Sequence, residues 1–246
     1  MGGEGPGPWE SLGVDSRGPA AAANNAEWCD AVCRARGALT RVDSDAWTCS
    51  TRTPPYYPDA VTLVPDPPVP ALLSRIDCTA GCSVKDSFAS VDLTEHGFEV
   101  LFEAEWISRA STTSSTTVSH RGWGLVREPV ELRAWEAAWR GDDGPAGIFD
   151  PSLLANDAVT FLAERRGGRV VAGAVLNRSS TVVGLSNYFG EPTTDAGRGW
   201  SGCVSFAAAL SRGLPLVGYE SGDRLTAARS EGFKSIGALR VWLLTG

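Results

Sequence analysis

The chain has 246 residues, 43% of them hydrophobic, which is enough apolar surface for a substantial core in one large domain or two small ones. Its formal net charge of −7 excludes a general nucleic-acid binder, which needs clustered Lys and Arg to neutralise phosphates. No apolar run approaches the roughly 20 residues that cross a bilayer, and the first residues lack the basic start and apolar stretch of a signal peptide, so a cytoplasmic protein without a membrane partner is expected.

Residues 1–23 are rich in Gly, Pro and Ala and are expected to form a disordered leader. The first periodic element spans Asn25 to Gly37, where Trp28, Val32 and Ala35 share a helical face. Ala46–Ser50 and Ala60–Val64 read as strands around the turn-forming Thr53-Pro-Pro-Tyr-Tyr-Pro58. A short helix over 71–76 and a strand over Cys82–Lys85 follow. Asp86 is then expected to cap a helix ending near Gly97, and Phe98–Ile107 reads as a long strand. The six cysteines include two pairs at a spacing of four, Cys29/Cys33 and Cys78/Cys82, which leaves buried thiols, a metal site or disulfides open. The two histidines, His96 and His120, are too far apart in sequence to suggest a catalytic cluster.

The Ser/Thr-rich stretch within 108–121 marks an internal boundary, with an extended edge strand as the alternative. Beyond it, Trp123–Arg127 predicts a strand and Pro129–Arg140 a helix, with Pro129 in its first turn and Leu132, Trp135, Ala138 and Trp139 as its apolar stripe. Three strands are expected over 158–163, 169–176 and 182–189, joined by hairpins at Arg166-Gly-Gly-Arg169 and Asn177–Ser180. A helix over Ser201–Arg212 leads into a strand over Leu214–Glu220. The next helix is bounded by Asp223 and Gly232, and a final strand ends near Leu244.

The two halves end alike. Asp86, a helix, Gly97-Phe98 and Trp106 correspond to Asp223, a helix, Gly232-Phe233 and Trp242. This predicts a tandem arrangement, with a reduced copy over 24–107 and a fuller one over 122–246.

The element order of the second half, a helix, a three-strand meander, then helix, strand, helix and strand, resembles the GNAT (GCN5-related N-acetyltransferase) superfamily. So does the phrase Ala227-Ala-Arg-Ser-Glu-Gly-Phe233. The resemblance implies an α/β chain of α+β type, with a mixed, mainly antiparallel twisted sheet flanked by helices. It also implies acetyl-CoA or another acyl-CoA as co-substrate, held between strands 182–189 and 214–220. Its acceptor would be a primary amine of a small molecule. The family's phosphate loop runs Gln or Arg, two residues, Gly, one residue, then Gly or Ala. Here Arg198-Gly199-Trp200-Ser201-Gly202-Cys203 matches at Arg198 and departs at Ser201 and Cys203. Ser186 and Asn187 are candidate contacts to the pantetheine amides, and Glu191 a candidate contact to a cationic acceptor. The tyrosine that many members use as an acid is replaced by Ala228.

Glu220 at the strand end is the candidate base, with Tyr219 beside it; the alternative for Glu220 is a bond to the amides that open the next helix. Cys203 at a helix start could instead be a nucleophile. A non-catalytic or repurposed protein of this fold, binding a small ligand or a protein partner, is the alternative function. The tandem arrangement would make the molecule a pseudo-dimeric monomer.

Overall fold

The computed structural model describes residues 17–111, 122–191 and 196–246. Most of the expected leader and most of the Ser/Thr-rich connector, including His120, lie outside them. Where the leader was expected to be disordered up to residue 23, helix α1 already begins at Arg17 and runs to Ala35. Ala21, Ala22 and Asn24 are buried under the sheet, so alanines that read as low complexity serve as small packing groups. Gly37 in the left-handed region ends α1, with the Gly37 and Ala38 amides bonded back to Arg34 and Cys33.

The strands are β1 (Thr40–Val42), β2 (Ala46–Cys49), β3 (Ala60–Thr62), β4 (Ser83–Asp86), β5 (Phe98–Arg109), β6 (Trp123–Val126), β7 (Val159–Arg166), β8 (Arg169–Arg178), β9 (Val183–Gly190), β10 (Leu216–Glu220) and β11 (Lys234–Leu244). The remaining helices are α2 (Val69–Leu73), α3 (Pro129–Arg140), α4 (Ala196–Leu210) and α5 (Gly222–Ser230). No helix among the described residues is long and apolar enough to cross a membrane.

All the strands join one sheet in the order β1-β2-β3-β4-β11-β5-β10-β9-β8-β7-β6. The order has the same form from either end: antiparallel strands, then a parallel pair (β3–β4 or β9–β10), then a strand from the other half. The strands β5 and β11, each the last of its half, pair antiparallel at the centre. Gly97 and Gly232 precede them with positive φ, and Phe98, Phe233, Trp106 and Trp242 are all buried.

Strand alternation covers both faces. On one face Phe161, Ala163 and Val175 pack with Trp28 of α1 and Trp135 of α3. On the other, Leu162, Ala174 and Leu176 pack with α4 and α5. Trp135 lies so close over β8 that a Cβ on Gly173 would stand 2.3 Å from its indole nitrogen.

Two expectations need correction. Asp86 does not open a helix. It ends β4, fully buried, and its carboxylate accepts from the Phe88 and Val91 amides at 3.2 and 3.0 Å, giving the backbone an alternative to helical bonding. Only Thr94–His96 forms a helical turn, of the 3-10 type. The N-cap of α5 is Ser221, with Asp223 inside the first turn. The cysteines are free thiols, all buried except Cys78.

Candidate active site

The site begins where two parallel strands part. β9 and β10 pair only at Val183↔Leu216 and Gly184↔Val217. Beyond that point β9 carries a bulge, because its register with β8 slips by one residue between Ser186 and Phe189. Asn187 stands in the bulge at φ +54°, in the left-handed region that Asn tolerates better than most side chains. On β10, Gly218 permits the contact at the fork, since a Cβ there would lie 2.9 Å from the Leu185 carbonyl.

The gap opens into a cavity of about 290 Å3 between the first turns of α4 and α5. Val171, Ala172, Trp200 and Ala227 give it apolar walls, while Tyr188 and Glu220 bring titratable groups to it. Among the described residues Glu220 has no hydrogen-bond partner, so the amides of α5 do not hold it. Burial raises its carboxyl to about 7, partly offset by the Arg224 guanidinium one turn along. The Tyr188 ring stacks edge-on against Trp200 at 4.8 Å. Its hydroxyl likewise has no hydrogen-bond partner among the described residues, and burial pushes its pKa upward, which keeps it protonated at neutral pH. Two titratable groups with strongly shifted pKa values on one cavity wall are a common mark of a working site.

A second cavity, of about 260 Å3, lies on the α1 side and shares Tyr188, Trp200, Glu220 and Arg224 with the first. Glu220 therefore borders both spaces.

The structure brings some expected residues here and not others. Tyr219 faces the second cavity alone, edge-on to Trp106 at 5.5 Å. Ser186 and Asn187 also line that cavity, but the Asn187 side chain is committed to the amino-terminal half, accepting from the Trp28 indole at 2.9 Å and the Tyr57 hydroxyl at 3.5 Å. Glu191 lines the first cavity, ion-paired with Arg169.

Arg198 to Cys203 is not a loop. Helix α4 starts at Ala196, so these residues form its first two turns, and only Gly199 and Trp200 among them line the cavity, alongside Gly197. Arg198 is exposed beside the cavity, Ser201 is half-buried away from it, and Cys203 is fully buried in the core with its thiol pKa raised, which removes it as a nucleophile. Gly202 is small for a packing reason: a Cβ there would lie 2.7 Å from the Trp123 indole nitrogen.

No protein-family model matches the chain, and no curated protein matches it in sequence. Solved structures do. A GCN5-related N-acetyltransferase from Kribbella flavida superposes with a TM-score of 0.60 at 16% identity, over 92% of this chain and 96% of that one. A GNAT-family protein from Novosphingobium aromaticivorans gives 0.53 at 14% identity, over 83% and 90%. A conserved protein of unknown function from Staphylococcus epidermidis gives 0.52 at 10%, over 82% and 92%.

This chain has the GNAT fold.

Ala228, where the resemblance led us to expect a tyrosine, sits on α5 with its side chain fully buried in the core, and its neighbour Ala227 is the one that lines the cavity. The phenol found at this cleft comes instead from Tyr188 on β9. Sequence reading passed it over because its orientation depends on the bulge at Asn187. The available signal was that Ser186-Asn187-Tyr188 breaks the apolar alternation of its strand.

Proposed function

We propose that the protein is an acyl-CoA-dependent N-acyltransferase that moves an acetyl group to a primary amine of a small molecule. The observation that carries this reading is Glu220, unpaired and raised toward neutrality on the border of both cavities. The first cavity suits the thioester co-substrate. Its walls are apolar, it opens at the fork of β9 and β10, and the first turn of α4 brings Gly197 and Gly199 to it, a helix start being a place that favours phosphate. The second cavity would hold the amine.

In this reading Glu220 takes a proton from the amine, whose nitrogen then bonds to the acyl carbon as the carbon–sulfur bond breaks. The departing thiolate takes its proton from the Tyr188 hydroxyl. Positioning and general acid–base transfer, each worth orders of magnitude, supply the rate. Glu191, bound to Arg169 on the first cavity, is better placed to shape its mouth than to hold an acceptor.

Calorimetric titration with acetyl-CoA, followed by a transfer assay on a panel of amines, tests the proposal. Binding with transfer that Glu220→Gln abolishes supports it. No heat and no thermal shift at millimolar acetyl-CoA overturns it and favours a repurposed GNAT-fold protein that binds another ligand.

A further inference from the structure

The second cavity contains a charge that its own surroundings do not explain. Lys85, on β4, is only 4% exposed. Its ammonium donates to Asn25 Oδ1 at 2.8 Å and stands 4.2 Å from the centre of the Tyr219 ring. Among the described residues no carboxylate pairs with it. An ammonium has three donors, and a neutral amide and a ring face satisfy it only in part; a buried charge without a counter-ion is costly. Of its strand neighbours, Val84 is fully buried core and Asp86 commits its carboxylate to the Phe88 and Val91 amides, so neither supplies the lysine with a counter-ion.

Glu220 borders the same cavity, and its cationic neighbour is Arg224, not Lys85. The cavity therefore presents a positive group and a proton-accepting group at separate places. Four aromatic side chains, Trp28, Tyr57, Trp139 and Tyr219, also line it, contributed by both halves of the chain.

We infer that the acceptor is an amino carboxylate, an amino acid with a large apolar or aromatic side chain, whose carboxylate is held by Lys85 and whose amine faces Glu220. The role of the amine rests on the acyl-transfer reading above; the carboxylate contact at Lys85 does not. The ligand supplies the counter-ion that the fold withholds, and the ring-lined walls receive its side chain.

The test uses the full chain with L-phenylalanine and L-tryptophan against phenethylamine and tryptamine, which keep the amine and the ring and lack the carboxylate. With acetyl-CoA, kcat/KM is expected to favour the amino acids by at least 100-fold. Lys85→Met is expected to bring that preference below threefold, mainly through KM, and Lys85→Arg to restore part of it. In calorimetry without acetyl-CoA, L-phenylalanine is expected to bind at least tenfold more weakly to Lys85→Met. Equal or better use of the carboxylate-free amines by the unmodified protein overturns the inference, as does an equal loss on both classes in Lys85→Met, which would mark a structural lysine. The comparison on the unmodified protein decides even if the variants do not fold. If acetyl-CoA neither binds nor reacts while L-phenylalanine binds through Lys85, the transferase reading falls and this site stands; transfer confined to carboxylate-free amines gives the reverse.

Discussion

Asn24 and Asn177 clasp each other across the molecule: the Asn24 side-chain amide donates to the Asn177 backbone carbonyl at 2.8 Å, and the Asn177 side-chain amide donates to the Asn24 backbone carbonyl at 3.0 Å. Both are buried, and the pair fixes α1 to β8 beside the residues that α1 lends to the second cavity. Gly184 makes room for it, since a Cβ there would lie 2.0 Å from Asn24 Oδ1. Asn177→Ala is expected to cost about 0.5–1.5 kcal/mol by removing a buried hydrogen bond between β8 and α1. Gly184→Ala should cost at least as much, because the clasp must open. Urea unfolding checks both, with the midpoint lowered and the slope unchanged.

Glu220→Gln is expected to lower transfer by about 10²–10⁴-fold and to remove the acidic limb of the pH–rate profile, which in the unmodified enzyme should rise through about pH 7 as the carboxyl loses its proton. Stability runs the other way. The folded state holds this proton to about 7 against 4.5 for the free group, so between those values it binds more protons than the unfolded chain, and stability falls as pH rises. The loss levels off above pH 7 at roughly 3 kcal/mol at most. Glu220→Gln should therefore melt higher than the unmodified protein at pH 8 and close to it at pH 4.5, as read by calorimetric Tm.

Tyr188→Phe keeps the ring against Trp200 and removes only the hydroxyl. Since that hydroxyl has no hydrogen-bond partner among the described residues, stability should change by less than about 0.5 kcal/mol. The expected effect is a 10- to 100-fold drop in kcat with little change in KM for acetyl-CoA, the pattern of a group acting as the thiolate leaves. Steady-state kinetics beside thermal unfolding separates the two readouts.

Gly199 and Gly202 look alike in sequence and should behave differently. Among the described residues a Cβ at 199 meets only the Tyr188 hydroxyl, at 3.1 Å, so Gly199→Ala should weaken acetyl-CoA binding while leaving Tm nearly unchanged. A Cβ at 202 collides with the Trp123 ring, so Gly202→Ala should cost about 1–3 kcal/mol through overpacking. Calorimetric titration and thermal melting on both variants test the contrast.

We propose that residues 24–107 are a reduced copy of the unit formed by 122–246, joined through the connector at 108–121. Support comes from the matching strand order on either side of the β5–β11 pair and from the buried Phe98 and Trp106, Phe233 and Trp242, in or beside those strands. A fragment of 122–246 would lack β5 and leave β10 and β11 with open edges. It is expected to be insoluble or markedly destabilised alone; a fragment as stable and soluble as the whole chain would refute the proposal.

Local chemistry made much of this fold legible. α3 could be read from Pro129 at its start, Gly141 just past its end and the stripe through Leu132 and Trp135. The Gly167-Gly168 turn was equally plain, both residues having the positive φ that a two-residue hairpin needs. The first two turns of α1 were not legible, because alanine carries no periodic signal and becomes core only when a sheet lies beneath it. The same limit applied at the site. Glu220 could be picked out as an acid at a strand end before a helix. Tyr188 and Lys85 could not: one depends on a one-residue slip between β8 and β9, the other on α1 and β10 closing over a short strand.

The placement of β5 between β10 and β11 also sets a timetable. β5 ends at Arg109 and β10 begins at Leu216, so during synthesis at about 5–20 residues per second β5 waits on the order of ten seconds for its partners. Throughout that interval Val100, Leu101 and Phe102, still partly exposed in the finished sheet, sit on a strand with no neighbour on either edge. Chaperone demand on the ribosome and aggregation during refolding should therefore concentrate on this one strand, in a molecule whose sheet cannot close until β11 has been made.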